Sequence, residues 1–390
     1  MKKAILITLI CFFLCGCGNY SELNNLAIVT GVALDKKDDK YEVSVLIANS
    51  PKVDTSNKEG EAQTTVYSAT GKTIPEAAQA VEQKSPTKLY FAHINVVIIS
   101  EAIGKEGYLK TADWLIRTPQ TRKRFYLLQA KDNKAKDIIK IISPLESFPS
   151  QNIKTLINTN RNSKSIATAV TYSNFIGRAL EKGFDPVLSS ITIHGDVKKG
   201  SKQDNLETTE PKTYLKLGPL ALYKKGKLIG YTSSIDSQSI NILRNETKEI
   251  SYTLKYKNDY INIGSDQIKT KTTLKNPNTV DINVSGIGNI YSIGSDIKIS
   301  DYKEIQKIEK KWNKQLKKDL EKIIKKLQTE YKTDVLGFGN KIYKQYPNKW
   351  KKLEKDWNDK YFKDVKVNIK VDLKIATTGS LTETLKEANK

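Results

Sequence analysis

Thiols and imidazoles, which often carry nucleophilic or metal chemistry, are scarce in this chain: 390 residues hold three cysteines and two histidines. His93 and His194 each fall in an expected strand. A catalytic triad or zinc site would need one of them with a base or further ligands converging on it, and the pattern reads instead as two structural histidines. Gly71-Lys72-Thr73 resembles the end of a phosphate-binding loop, but Val66 stands where that loop requires its first glycine. Gly286-Ile287-Gly288 and Gly337-Phe338-Gly339 lack a third glycine, with Tyr291 and Ile342 in its place. Ser85-Pro86-Thr87-Lys88 has the serine–lysine spacing of penicillin-binding enzymes without their other signatures. Two carboxylates would suffice for glycoside hydrolysis, yet nothing selects a pair. These residues argue against an enzyme, and they point to no cofactor and no metal.

The cysteines carry a different chemistry. Cys11, Cys15 and Cys17 all lie within the first 17 residues, behind Lys2, Lys3 and the apolar run Ala4 to Leu14. That run is too short to cross about 30 Å of hydrocarbon, so it reads as a cleaved secretory signal. Its end, Leu14-Cys15-Gly16-Cys17, looks like a bacterial lipobox. The likeness implies recognition of Leu14, Cys15 and Gly16 by the peptidase, a diacylglyceryl group on the Cys17 sulfur, and cleavage after Gly16. The mature chain then has no second thiol and no disulfide. Two acyl chains give stable anchoring where one would be marginal.

Composition sets further limits. Apolar residues make up 38 % and charged ones 28 %, too rich in core material for a wholly disordered chain. No long uncharged apolar run follows the leader, which excludes a polytopic membrane protein. The formal net charge of +22 first points to nucleic acid. The leader places the chain outside the cytoplasm, so lipid headgroups, wall polymers or an acidic protein face are the expected partners, and no nucleic acid. Lys303 to Lys363 alone hold 19 lysines and 9 acidic residues.

The elements that must position these residues alternate. Strands are expected at Leu26 to Leu34, Tyr41 to Ala48, Leu89 to Ser100, Arg124 to Ala130 and Val187 to His194. Helices are expected at Ile74 to Gln83 behind the cap Thr73, Tyr108 to Ile116, Lys134 to Ile142 behind Asn133, Ile153 to Asn158 and Tyr172 to Glu181. Beyond the polar stretch 196–212, a hairpin forms about Lys224-Lys225-Gly226, then a short helix Ile235 to Leu243 and four more strand-like runs. Asp301 to Lys332 carries the strongest period, with Ile308, Trp312, Leu316, Leu320, Ile323 and Leu327 on one stripe and Asp301 and Glu304 as an acidic capping box. A second amphipathic segment follows Pro347, and Val365 to Ile375 alternates as a half-buried strand. The fold class expected is α+β, mixed α/β in several subdomains, with a long C-terminal amphipathic helix packed on a sheet. The expected division is signal peptide 1–16, an N-terminal unit 17–195, a linker 196–212 and a C-terminal unit 213–390.

Read in order, certain blocks resemble the spore germination C-protein family, the lipoprotein C subunits of nutrient germinant receptors in endospore-forming bacteria. They begin with Cys17-Gly-Asn-Tyr-Ser-Glu22-Leu23-Asn24-Asn-Leu26 and run to Asp35, with the usual aromatic displaced to Tyr20. Phe91-Ala-His93, Asp113 to Pro119 and Gly218 to Gly230 follow, then Asp334-Val-Leu-Gly337-Phe-Gly339, Tyr346-Pro347, Trp350, Trp357 and Thr378-Gly379. The resemblance implies a non-enzymatic subunit tethered through Cys17 to the outer face of the inner spore membrane. It also implies two integral membrane partners, the A-type and B-type receptor subunits. A solute-binding lipoprotein of a transporter is the alternative, and a cell-wall enzyme a third reading.

Overall fold

The structure, a computed structural model, describes residues 26–49, 62–118, 121–146, 148–163, 165–247, 249–293 and 301–377. The lipobox residues Leu14, Cys15, Gly16 and Cys17 lie outside the described residues, as does Thr378-Gly379.

Runs rich in β-branched residues build a nine-stranded mixed sheet. Its strands are β1 (Leu26–Lys37), β2 (Lys40–Ala48), β3 (Thr64–Gly71), β4 (Lys88–Tyr90), β5 (Val96–Ile99), β6 (Tyr126–Ala130), β7 (Val187–His194), β8 (Tyr214–Lys224) and β9 (Lys227–Tyr231). The order is β3-β2-β1-β5-β6-β7-β8-β9, with β4 beside β1. The centre, β1-β5-β6-β7, is parallel, and both flanks are antiparallel. A sheet with a parallel centre must be covered on both faces, and β5 shows it. Val97 and Ile99 enter one core, with helices α1 (Ile74–Glu82), α2 (Glu101–Glu106) and α3 (Leu109–Arg117). Val96 and Ile98 enter the opposite core, under α4 (Pro149–Ser163). Helix α5 (Tyr172–Leu180) leads into β7.

The second sheet comprises β10 (Ile250–Tyr256), β11 (Asp259–Ser265), β12 (Lys269–Asn276), β13 (Thr279–Ser292) and β14 (Lys366–Thr377). β13 pairs antiparallel with β11 and β12 and parallel with β14. Across this sheet lies α7 (Tyr302–Lys326), preceded by α6 (Ser234–Leu243) and followed by α8 (Phe338–Gln345) and α9 (Pro347–Leu353). The apolar stripe of α7 packs as its period requires: Ile308, Trp312, Leu316, Leu320 and Ile323 have no exposed surface. Their core also takes in Val187, Leu220 and Leu222 from the first sheet, so the two sheets share it. The fold is thus mixed α+β with a long C-terminal helix on a sheet.

Some local expectations change. Leu89 to Ser100 is not one strand: a single 3₁₀ turn, Phe91–His93, separates β4 from β5, and His93 lies in that turn. Lys134 to Ile142 forms only the one-turn helix Ala135–Ile138, and Asn133 does not cap it. The Asn133 side chain instead accepts through Oδ1 from Ile193 N at 2.8 Å, while Asp35 of β1 accepts from the N–H groups of Ala135 and Lys136. Asp301 caps α7 through Lys303 N at 2.9 Å, but Glu304 does not complete a box. Its carboxylate pairs with Lys257 and Lys307, because the register of α7 turns it inward.

Segment 196–212 is folded onto the first unit: Asn205 Nδ2 donates to the carbonyls of Ile142 and Thr213, each at 3.0 Å. The β8–β9 hairpin, expected within 213–390, completes the first sheet by pairing with β7. A hairpin's alternation fixes its inward face but not the sheet it joins.

Candidate functional site

Where the sheets meet, two short loops grip each other. The first, Lys182-Gly183-Phe184-Asp185, joins α5 to β7; the second, Thr333 to Gly339, joins α7 to α8. Helix α7 continues through a π-helical turn, Leu327–Tyr331, and ends at Lys332, whose φ is +48°. The chain then reverses about Asp334, which is fully buried.

A buried carboxylate must be satisfied, and Asp334 takes five donors. Oδ1 accepts from the N–H groups of Leu336, Gly337 and Phe338 at 3.1, 2.8 and 3.2 Å. Oδ2 accepts from Gly339 N at 2.7 Å and Trp357 Nε1 at 3.0 Å. Burial pushes this carboxyl up to about 6 against the pull of those donors, with neighbouring Asp185 acting in the same direction. The shell of five donors suits the ionised carboxylate.

Asp185 locks the other loop. Its N–H donates to the Asp334 carbonyl at 2.9 Å. Its Oδ2 accepts from Asn358 Nδ2 at 2.5 Å and Asp334 N at 3.3 Å, and lies 2.9 Å from the Thr333 hydroxyl. Burial raises this carboxyl too, opposed by the Thr333 and Asn358 hydrogen bonds. Gly183, at φ +69°, allows the approach: a Cβ there would lie 2.5 Å from Gly339 C and from the Trp350 ring. Asn340 closes the contact, donating from its N to the Gly183 carbonyl and from Nδ2 to the Lys182 carbonyl, each at 3.1 Å.

Beside this clasp, the guanidiniums of Arg178 and Arg244 both lie over the Phe184 ring, 5.6 and 5.5 Å from its centre. Both arginines pair with Glu246, which also accepts from the Thr168 hydroxyl at 2.9 Å. Burial opposes ionisation of Glu246, but Arg244 and Arg178 overcome it and hold the carboxyl at about 2.

The structure also disposes of the motif-like fragments. Thr73 accepts from Glu76 N, and Glu76 accepts from Lys72 N at 2.8 Å, so the helix's own carboxylate occupies the site a phosphate would take. Ser85 Oγ donates to the Thr87 carbonyl at 2.6 Å within a turn. His93 precedes β5 and His194 ends β7, at opposite ends of the parallel strands, each exposed beside a tyrosine ring. Trp312 and Trp350 are core anchors. Sequence reasoning singled out Gly337-Phe338-Gly339 but missed Gly183, Asp185, Asn358 and the Glu246 cluster. The one local signal was an aspartate with two glycines, Gly337 and Gly339, in the five residues after it, where the chain can turn its N–H groups back onto the carboxylate.

Two family models match successive parts of the chain and divide it between β7 and β8 of the first sheet. One, described as "Spore germination protein N-terminal domain", matches residues 19–193, and the other, "Spore germination B3/ GerAC like, C-terminal", matches 219–379. The chain belongs to the spore germination C-protein family. Relatives in this family include spore germination protein KC of Bacillus subtilis (strain 168), 28% identical over 96% of this chain and 95% of its own length. Spore germination protein GerQC of Bacillus cereus is 23% identical over 97% of this chain and 99% of its own. The crystal structure of the GerBC protein shares the fold at a TM-score of 0.50 and 17% identity, covering 88% of this chain and 96% of that one. The clasp thus joins the family's N-terminal region, through Gly183 and Asp185, to its C-terminal region, through Asp334 and Gly339.

Proposed function

We propose that this chain is the C subunit of a spore nutrient germinant receptor: a lipid-anchored, non-enzymatic scaffold that couples to the A-type and B-type integral membrane subunits. The observation that carries the reading is the match to germination proteins along nearly the whole chain, in order, from residue 19 to 379. The lipobox-like Leu14-Cys15-Gly16-Cys17 supports a diacylglyceryl anchor at Cys17 on the outer face of the inner spore membrane. Among the described residues no helix is long and apolar enough to cross a membrane. Confinement to a surface raises the effective concentration of the subunit near membrane partners without any new contact. The clasp suits that role, because it makes two unlike sheets one body that can transmit position.

A transporter's solute-binding lipoprotein would have two similar doubly wound lobes. Here a mixed sheet with a parallel centre faces a smaller sheet that is antiparallel except for β14, and the relatives named above are germination proteins.

Two experiments test the proposal. The tagged chain, isolated from spore membranes, is expected to bring down both integral subunits; recovery of neither refutes the receptor role. Cys17→Ala is expected to move the protein out of the detergent phase, and unchanged partitioning refutes the anchor.

A further inference from the structure

A cleft of about 680 Å³ opens at the end of the first sheet from which the parallel strands run. Its lining includes Arg122, Lys123, Arg124, Lys154 and His93, and no carboxylate. Lys123 is engaged, because its Nζ donates to the carbonyls of Leu115, Ile116 and Thr118 at the C-terminus of α3. Arg122, Arg124 and Lys154 form no ion pair among the described residues, and both arginines are exposed. On α7, by contrast, several basic groups are already matched: Lys307 with Glu304, Lys317 with Glu321 and Lys326 with Asp236. Unmatched cations in a concave site of this size are built for a multiply bonded oxyanion, which guanidinium forks grip better than a point charge would.

The cleft also has a direction. Asn95 N donates to the Thr30 carbonyl, and Tyr126 N to the Asn95 carbonyl, so the starts of β5 and β6 and the middle of β1 form one row. β1 runs back beyond that row to Leu26, beside Lys88 of β4. Cys17 lies nine residues earlier, within about 30 Å of extended chain. The chain therefore comes from its anchor at the same end of the sheet that holds the cleft.

We infer that this cleft binds the phosphate of an anionic phospholipid headgroup, and so fixes how the tethered subunit stands on the membrane. The orientation argument rests on the Cys17 anchor; the chemistry of the cleft does not.

The test uses the full chain carrying Cys17→Ser, so that acyl insertion does not mask the cleft. Vesicles of phosphatidylcholine, with or without phosphatidylglycerol, are the lipid probes, and glycerol 1-phosphate is the soluble one. Arg122→Ser, Arg124→Ser and Lys154→Ser combined are expected to weaken binding to the anionic vesicles about a hundredfold, about fivefold per charge. Lys310→Ser, Lys314→Ser and Lys318→Ser, which remove equal charge from α7, are expected to leave it within about threefold if the cleft is the site. Glycerol 1-phosphate is expected to compete. Equal loss in both triple variants, or none in the first, overturns the inference. Binding of glycerol 1-phosphate without any preference for anionic vesicles also overturns it, in favour of a soluble phosphate. Detergent partitioning of the unsubstituted chain reports on the anchor separately, so failure of one reading is distinguishable from failure of the other.

Discussion

Glu246 shows how much one residue at the junction contributes. Its carboxyl stands at about 2 in the folded chain against an ordinary 4.5, because Arg244 and Arg178 outweigh the cost of its burial. A depressed acid stabilises the fold above its unfolded value, and that stability is lost as pH falls from about 4.5 through about 2. Glu246→Gln is therefore expected to cost about 3 kcal/mol at neutral pH, with the deficit shrinking steadily below about pH 4. Urea unfolding of both proteins across this range checks it; a deficit independent of pH would assign the loss to packing. Neither arginine neighbours Glu246 on a common helix face, so no local pattern announces the cluster. Arg178 is 68 residues away in sequence.

Helix α7 is the element most nearly legible beforehand. The expected span was Asp301 to Lys332; the helix runs Tyr302–Lys326 and continues through the Leu327–Tyr331 turn. A three-and-four period over that length leaves only one stripe to bury. Trp312 lies at its centre without exposed surface, and a Cβ added at Gly288 of β13 would come within 2.5 Å of its ring. Trp312→Ala is expected to destabilise the protein by about 4 kcal/mol in denaturant unfolding. On the solvent face, Lys310, Lys314 and Lys318 are exposed. Reversing these three charges is expected to shift stability by less than about 1 kcal/mol and to weaken recovery with the integral receptor subunits. Unaltered recovery would remove the basic face from the assembly. The segment after Pro347 was less legible: α9 ends at Leu353, and 3₁₀ and π turns carry the chain to Asp364. Trp350 and Trp357 are buried by the tertiary fold, with their rings 5.4 Å apart, and not by a continuous helix.

At the scale of the molecule, the shared core and the clasp make the two sheets interdependent. The wild-type protein is expected to unfold in one calorimetric transition. Asp185→Ala strips the acceptor from Asn358 Nδ2 and one from the Thr333 hydroxyl at the junction, and leaves Asp334 N with Asn358 Oδ1 alone. It is expected to split the transition in two, or to expose the Lys182–Asp185 loop to limited proteolysis. A single transition at an unchanged midpoint would show that Val187, Leu220 and Leu222 join the sheets without the clasp. The boundary itself was legible only in part, since a polar stretch at 196–212 marks a change of character but not the strand pairing beyond it.

The sequence by itself determined what depends on neighbours along the chain. The Thr73 and Asp301 caps, the α7 stripe and β7 at Val187 to His194 are all of this kind. So was the ordered set of family blocks. Only the tertiary structure decided which sheet receives β8 and β9, where the free cations converge, and what Asp185 and Asp334 do. Those two aspartates bond across 149 residues. Local propensity and periodicity fix which face of an element is apolar, and long-range hydrogen bonds are chosen only when packed sheets bring distant loops together.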